Sequence, residues 1–329
     1  MRAAGPIDAL SFGTSASLGA ANRLYRRNGR WPAHVIEAMR ALLVHNPKAG
    51  SGSPTAEELL AKLDSAGFST TYCSTKNGDL NGALGQSADI VIVAGGDGTV
   101  AKIARNLKDR KTLIAILPVG TANNIARCLG IAGNAGDLVK ALRGAPVERL
   151  DIGVAVGPWG TRHFVEAVGW GALAKAVDRD APEVSKRMRI ERGRASFAKT
   201  VANYKPKRIA FTADGEEIED NVIFVEVLNL GMTGPRMLIG PTAHPGDQLL
   251  DVVYLTAERR QEMLDWLAER PDDRPPPLQI RKARKATLTW EDGPLRVDDQ
   301  VFDQPELPCN IIVELEPDSL RVCVPADRY

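Results

Sequence analysis

Aromatic residues make up only 5% of this chain of 329 residues, so a base-stacking platform for nucleic acid is not expected. Charge of one sign is lacking too. The chain has 42 Lys and Arg against 41 Asp and Glu, a formal net charge of +1 that offers no overall attraction to a polyanion. Cysteine is scarce and scattered: Cys73, Cys128, Cys309 and Cys323 form no C-x2-C pair. That excludes the common zinc and dithiol motifs and suits reduced core residues of a cytoplasmic protein. No run of about 18 apolar residues occurs, so no helix is expected to span a bilayer. Residues 1–38 carry Arg2, Arg23, Arg26, Arg27 and Arg30 but no continuous apolar stretch of a signal peptide, and read as a loosely ordered basic extension. Also absent are the G-x-x-x-x-G-K-[ST] phosphate loop and a G-x-G-x-x-G opening the first crossover, which removes two common nucleotide-binding classes.

What is present is globular: 44% hydrophobic and 25% charged residues, in a length that suits two domains. In the first half, strands are expected at 41–45, 68–73, 89–94 and 112–117. Between them helices are expected at 54–65 (opened by Ser53), 99–107, 121–129 and 137–142. Such alternation implies an α/β domain with a parallel sheet and crossover helices. From about residue 147 strand-like runs dominate, at 147–156, 162–168, 207–213, 221–229, 250–255, 279–290 and 294–302. Helical patterns are few there, at 171–178, 192–204 and 257–269, which implies a second, mainly antiparallel domain. The four prolines within 271–277 mark a surface loop.

Three loops carry the chemistry. Asn46, Pro47, Lys48, Ala49, Gly50, Ser51 and Gly52 follow the first strand. Gly95, Gly96, Asp97, Gly98 and Thr99 follow the third and lead into Val100 and Ala101. Pro118 to Asn124, including Gly120, Thr121 and Asn123, follow the fourth. Ligands of open α/β sheets bind outside the carboxyl ends of the strands, where all three loops must lie. Glycine lets backbone approach phosphate closely, and the helix starts that follow present unpaired N–H groups. Three such loops on one sheet edge predict a polyphosphate site. Asp97 beside phosphates would be repulsive unless a divalent cation lay between them, so Asp97 implies magnesium-bound nucleotide.

At these residues the chain resembles the diacylglycerol kinase catalytic family, which includes bacterial lipid kinases and the sphingosine and ceramide kinases. The likeness covers about residues 40–326 and is most specific in the 46–52 loop, at GGDGT, and from Pro118 to Arg127. Weaker echoes are Val168-Gly169-Trp170-Gly171, Asn229 with Gly231, Gly234 and Pro241, and the closing Leu320 to Pro325. The resemblance implies an α/β nucleotide-binding domain of NAD-kinase and diacylglycerol-kinase type, built from residues 39–146 with 306–329 returning to it. It also implies a β-sandwich-like lipid-substrate domain over 147–305. ATP with Mg2+ would sit in the cleft, its phosphates against the loops at 46–52 and 95–101, with Thr75 and Thr121 as further nucleotide contacts. The acceptor would be a neutral lipid, diacylglycerol by default, or a ceramide or sphingoid base.

Two stretches depart from the family pattern. The family carries Asp-Gly-Glu late in the second domain, its Glu serving as general base on the lipid hydroxyl. Here the stretch is Arg296-Val297-Asp298-Asp299-Gln300, and an amide cannot accept a proton at neutral pH. Three readings follow: Asp298 or Asp299 supplies the base, positioning and charge neutralisation suffice without one, or kinase activity is lost. The family's structural magnesium loop becomes His244-Pro245-Gly246-Asp247-Gln248-Leu249. Asp247 with the backbone oxygens of His244 and Leu249 would hold that ion, and Gln248 replaces the glycine of the turn.

The basic run Lys175, Arg179, Lys186, Arg187, Arg189, Arg192, Arg194 and Lys199 suits a solvated face or docking on an anionic membrane, each near-surface cation contributing about 1 kcal/mol. A bilayer-resident substrate favours the second, so a cytoplasmic protein in peripheral membrane contact is expected. A homodimer is compatible with the sequence, and no nucleic-acid partner is expected. The alternatives are an NAD kinase, which shares GGDGT, and a nucleotide-binding regulator without turnover, motivated by Gln300.

Overall fold

The computed structural model describes residues 39–50, 52, 54–142, 144–177, 185–269 and 274–325. The basic extension, Ser51, Ser53, Arg179 and the start of the proline-rich loop lie outside the described residues.

The first domain is built from β1 (Met39–His45), α1 (Ala56–Ser65), β2 (Phe68–Ser74), α2 (Leu80–Leu84), β3 (Ile90–Gly95), α3 (Asp97–Asn106), β4 (Leu113–Pro118), α4 (Asn124–Cys128), α5 (Ala135–Ala141) and β5 (Val147–Leu150). Its first four strands run parallel in the order β2-β1-β3-β4. β3 is buried at every position, as a β-branched strand covered on both faces should be. α1 opens on Thr55, whose hydroxyl accepts from the Glu58 N–H while the Glu58 carboxylate accepts from the Thr55 N–H, a reciprocal cap.

The second domain follows as β6 (Gly153–Gly157), β7 (Gly160–Phe164), β8 (Ala167–Gly171), α6 (Ala172–Ala176), α7 (Lys186–Asn203), β9 (Lys207–Ala213), β10 (Glu216–Leu228), β11 (Met232–Thr233), β12 (Met237–Leu238), β13 (Leu250–Thr256), α8 (Arg260–Glu269), β14 (Gln279–Ala283), β15 (Lys285–Trp290), β16 (Leu295–Val297), β17 (Gln300–Phe302) and β18 (Cys309–Leu315). These pair antiparallel in one sheet, apart from the small β11–β12 ribbon. The last strand, β19 (Leu320–Cys323), returns to the first sheet between β4 and β5. Each domain has its own core, one around Leu43, Leu59 and Ile92, the other around Phe164, Phe197, Phe211 and Phe224.

The domain limits differ from those expected. The single strand expected at 147–156 is two: β5 pairs antiparallel with β19 in the first sheet, and β6 pairs with β18 in the second. Between them the wholly buried Asp151 breaks the strand, its carboxylate accepting from the Gln248 N–H (2.8 Å) and the Ser319 hydroxyl (2.5 Å). Residues 309–315 likewise belong to the second sheet, so only β19 returns. None of the four cysteines is in a disulfide, and among the described residues no helix is long and apolar enough to cross a membrane.

One buried ion pair fixes the inner end of the second sheet. Arg296 on β16 reaches Glu226 on β10 through Nη2 (2.7 Å) and Nε (3.2 Å), both residues nearly or wholly buried. The neighbour between them on β8 must be glycine, because a Cβ on Gly169 would lie 2.0 Å from the Glu226 carboxyl carbon. Gly169→Ala is therefore expected to destabilise the protein by about 3 kcal/mol or more, since it displaces one partner of a desolvated pair. Urea unfolding of the two proteins side by side checks this.

Candidate active site

The loops after β1, β3 and β4 meet as expected and wall a cavity of about 390 Å³ bordered by Asn46, Gly50, Thr75, Gly96, Thr99, Gly120 and Thr121. Asn46 ties two of them together, its Nδ2 donating to Thr99 Oγ1 (3.3 Å) and its N–H to Ala94 O (2.9 Å). Its Oδ1 accepts from the Lys48 N–H (3.1 Å), shaping the first loop. The second and third loops touch backbone to backbone: a Cβ on Gly120 would lie 2.3 Å from Gly96 Cα. Asn123 holds the third loop from a left-handed backbone (φ +54°), its Nδ2 donating to Pro118 O (2.9 Å) and Gly120 O (3.2 Å). Val100 and Ala101 are buried in α3, and Ala101 borders a different cavity.

That second cavity, of about 160 Å³, lies between the domains and is bordered by Asp97, Asn124, Glu166, Arg296, Asp298 and Asp299. The two cavities share Gly98 and Asp299. Asp97 stands on the second cavity, its Oδ1 accepting from the Ile125 N–H (2.9 Å) at the start of α4. Burial raises its pKa, opposed by the N–H groups of Ile125, Asn124 and Asn123. Burial also pushes Glu166 well above the usual carboxylate range, reinforced by the negative charges of Asp97 and Asp298 and opposed by Arg296.

The three residues of the 298–300 stretch have separate fates. Asp298 adopts φ +52° in the two-residue turn between β16 and β17 and is buried. Its Oδ1 accepts from the N–H groups of Val165 (3.1 Å) and Glu166 (2.8 Å), and its Oδ2 accepts from Arg105 Nη1 (2.8 Å). Burial raises its pKa and those donors oppose the rise. Asp299 turns the other way and borders both cavities. Gln300 is exposed on β17, its Oε1 accepting from Arg162 Nη1 (2.7 Å), and borders neither cavity.

Positive charge reaches the first cavity from both domains. Lys102 borders it from α3. From α7, Lys186 Nζ donates to Val119 O (3.0 Å) and Arg189 Nη1 lies 3.5 Å from Thr121 Oγ1. Arg236 donates to Thr121 O (2.8 Å) and Ala122 O (3.0 Å), and Arg194 donates to the carbonyls of Pro235 and Arg236. The basic run thus splits: Lys186 and Arg194 are half-buried against loop carbonyls, Arg189 reaches Thr121 from an exposed position, and Lys175, Arg187, Arg192 and Lys199 are exposed. Lys102, Glu166 and Arg236 went unnoticed in the sequence, where each stands outside any motif.

The Asp247 loop lies elsewhere, against the crossing between the domains. Asp247 Oδ1 accepts from the Leu249 N–H (3.0 Å), and Lys282 Nζ lies 3.4 Å from Asp247 Oδ2. Gln248 adopts φ +59°, the backbone of the glycine it replaces. Lys282 Nζ also lies 3.2 Å from Asp251 Oδ1. Among the described residues no group of three or more His, Cys, Asp or Glu side chains is placed to hold a metal.

Comparison with known proteins agrees with this geometry. Residues 40–155 match the diacylglycerol kinase catalytic domain, and residues 171–324 match the YegS C-terminal NAD kinase beta sandwich-like domain. The diacylglycerol kinase of Bacillus subtilis is 26% identical over 68% of this chain and 76% of its own length. That of Staphylococcus carnosus is 25% identical over 83% of this chain and 92% of its own. Among solved structures, a diacylglycerol kinase from Bacillus anthracis aligns with a TM-score of 0.64 at 21% identity, over 88% of this chain and 98% of that one. An NAD kinase from Archaeoglobus fulgidus in complex with ATP aligns at 0.51 and 16% identity, over 88% and 96%; at these identities the likeness is one of fold. With an α/β nucleotide domain, a β-sandwich-like partner and the matched catalytic segment, residues 40–155 belong to the diacylglycerol kinase catalytic domain family, and the two domains together are those of a lipid kinase.

Proposed function

We propose that the protein transfers the γ-phosphoryl group of ATP to the primary hydroxyl of a neutral lipid, diacylglycerol before ceramide or a sphingoid base. The observation that carries this is the junction of the two cavities at Gly98 and Asp299, which sets a polar, glycine-walled site beside a carboxylate-lined one. The loop N–H groups, Lys102, Lys186 and Arg189 would take up the phosphate charge, doing the work of the absent P-loop lysine. Magnesium, which favours hard oxygen ligands, would neutralise charge between the phosphates when bound with the nucleotide, and Asp97 is the carboxylate we assign to it. Asp299 would accept the proton as the lipid oxygen forms its bond to Pγ and the bond from Pγ to the ADP oxygen breaks. Asp298 acts through position, holding the segment that leads into β8 against Arg105 of α3 so that Asp299 faces the junction. Glu166 borders the inter-domain cavity, where burial and the charges of Asp97 and Asp298 favour its neutral form.

Lys186→Met is expected to raise KM for ATP about 10-fold with a smaller change in kcat, the value of one hydrogen bond to a charged group; initial rates across ATP concentrations check it. The reaction itself is tested by offering labelled ATP with diacylglycerol vesicles, ceramide vesicles and NAD separately. Label in diacylglycerol supports the reading. Label in NAD alone would replace it with the NAD kinase reading, and nucleotide binding without transfer would favour a regulator.

A further inference from the structure

The loop between β12 and β13 clasps both places where the chain crosses between domains. On the outgoing crossing, the Asp151 N–H donates to Pro245 O (2.7 Å), and a Cβ on Gly246 would lie 2.7 Å from the Arg149 carbonyl oxygen. On the returning crossing, the Ser319 hydroxyl donates to the buried Asp151 carboxylate, which also accepts from the Gln248 side-chain amide (2.5 Å). Gln248 does this from a left-handed backbone, φ +59°, a costly conformation for a residue with a side chain. The bonds its side chain makes to Asp151 and Ser319 (3.1 Å) offset that cost.

Beside this clasp stands a cation that the protein supplies itself. Lys282 on β14 lies directly across the sheet from Asp251 on β13. Its Nζ lies 2.9 Å from Thr242 O, 3.2 Å from Asp251 Oδ1 and 3.4 Å from Asp247 Oδ2, and Asp251 is wholly buried. Two carboxylates and a backbone carbonyl converging on one point are the hard-oxygen set that a divalent ion takes. Two of the atoms expected as ligands are meanwhile occupied in closing the turn. His244 O accepts from the Asp247 N–H (3.5 Å), and Asp247 Oδ1 accepts from the Leu249 N–H (3.0 Å).

We infer that Lys282 is a built-in cation: its ammonium takes the place of a structural divalent ion at the Asp247 loop, so the domain junction is set without metal. Without it, Asp247 and Asp251 would face each other as like charges, one of them fully desolvated. The inference does not rest on the kinase reading, because magnesium brought by the nucleotide belongs to the other cleft.

The test uses the full chain without nucleotide. Thermal unfolding is followed in EDTA and in millimolar Mg2+ or Ca2+, and ion binding is measured by equilibrium dialysis against radioactive Ca2+. The wild-type protein is expected to melt at the same temperature in all three solutions and to retain no ion. Lys282→Met is expected to melt roughly 5–10 °C lower in EDTA and to recover when the divalent ion enters the vacated oxygens. Stoichiometric ion binding by the wild type, or a rise in its melting temperature with the ion, would overturn the inference. A Met variant as stable as the wild type in EDTA would overturn it too. A weakened variant that no ion rescues would reduce Lys282 to an ordinary ion pair and likewise end the proposal. If the variant does not fold, dialysis of the wild type decides alone.

Discussion

Asp299→Asn is expected to lower kcat for lipid phosphorylation by about 10²–10⁴-fold, the range of a lost general base, while KM for ATP changes little. Asp299 borders both the glycine-walled cavity and the inter-domain cavity, and under the proposed function its carboxylate takes the proton of the acceptor hydroxyl at that junction. The amide keeps the size and loses the proton-accepting oxygen, which separates chemistry from packing. Gln300→Glu serves as the contrast: its side chain faces Arg162 at the sheet surface, so restoring the family's carboxylate there is expected to leave kcat within a few-fold of wild type. Steady-state rates with vesicle-borne diacylglycerol measure both. Equal losses from the two substitutions would contradict the assignment.

The second large effect is expected at Asp97. Asp97→Asn retains an oxygen that accepts the Ile125 N–H, so the start of α4 should survive and the melting temperature should hold. What is lost is charge. If Asp97 helps to hold the magnesium that travels with ATP, kcat/KM should fall by about 10²–10³-fold, the several kcal/mol that such an ion contributes to transition-state charge. The variant should also need more magnesium for half-maximal rate. A rate set by Asp97→Asn that is independent of magnesium concentration would move Asp97 out of the metal's shell and leave it as a helix cap.

How legible this was varies with the range of the interactions involved. The meeting of the three glycine-rich loops could be read because each is one uninterrupted string whose glycines announce close backbone approach, and Gly96 and Gly120 do touch. β3 could be read because a strand buried on both faces is apolar throughout. The 298–300 stretch could not be resolved, since a two-residue turn with Asp298 at φ +52° decides which carboxylate faces inward, and no periodicity reveals that sign. The break in the strand at Asp151 was hidden for a similar reason: its partners Gln248 and Ser319 lie 97 and 168 residues away. Lys186 reads as one member of a charge run because charge content does not show where a helix docks. Glu166, a lone acid before β8, becomes notable only when folding sets it beside Asp97 and Asp298.

The most direct test of the central claim is to incubate the protein with labelled ATP, magnesium and a total lipid extract, and to identify the product by mass spectrometry. The account predicts a phosphorylated neutral lipid made by the wild-type protein and nearly absent with Asp299→Asn. ATP that binds while no lipid is phosphorylated, or a lipid product that Asp299→Asn makes at the wild-type rate, would contradict it.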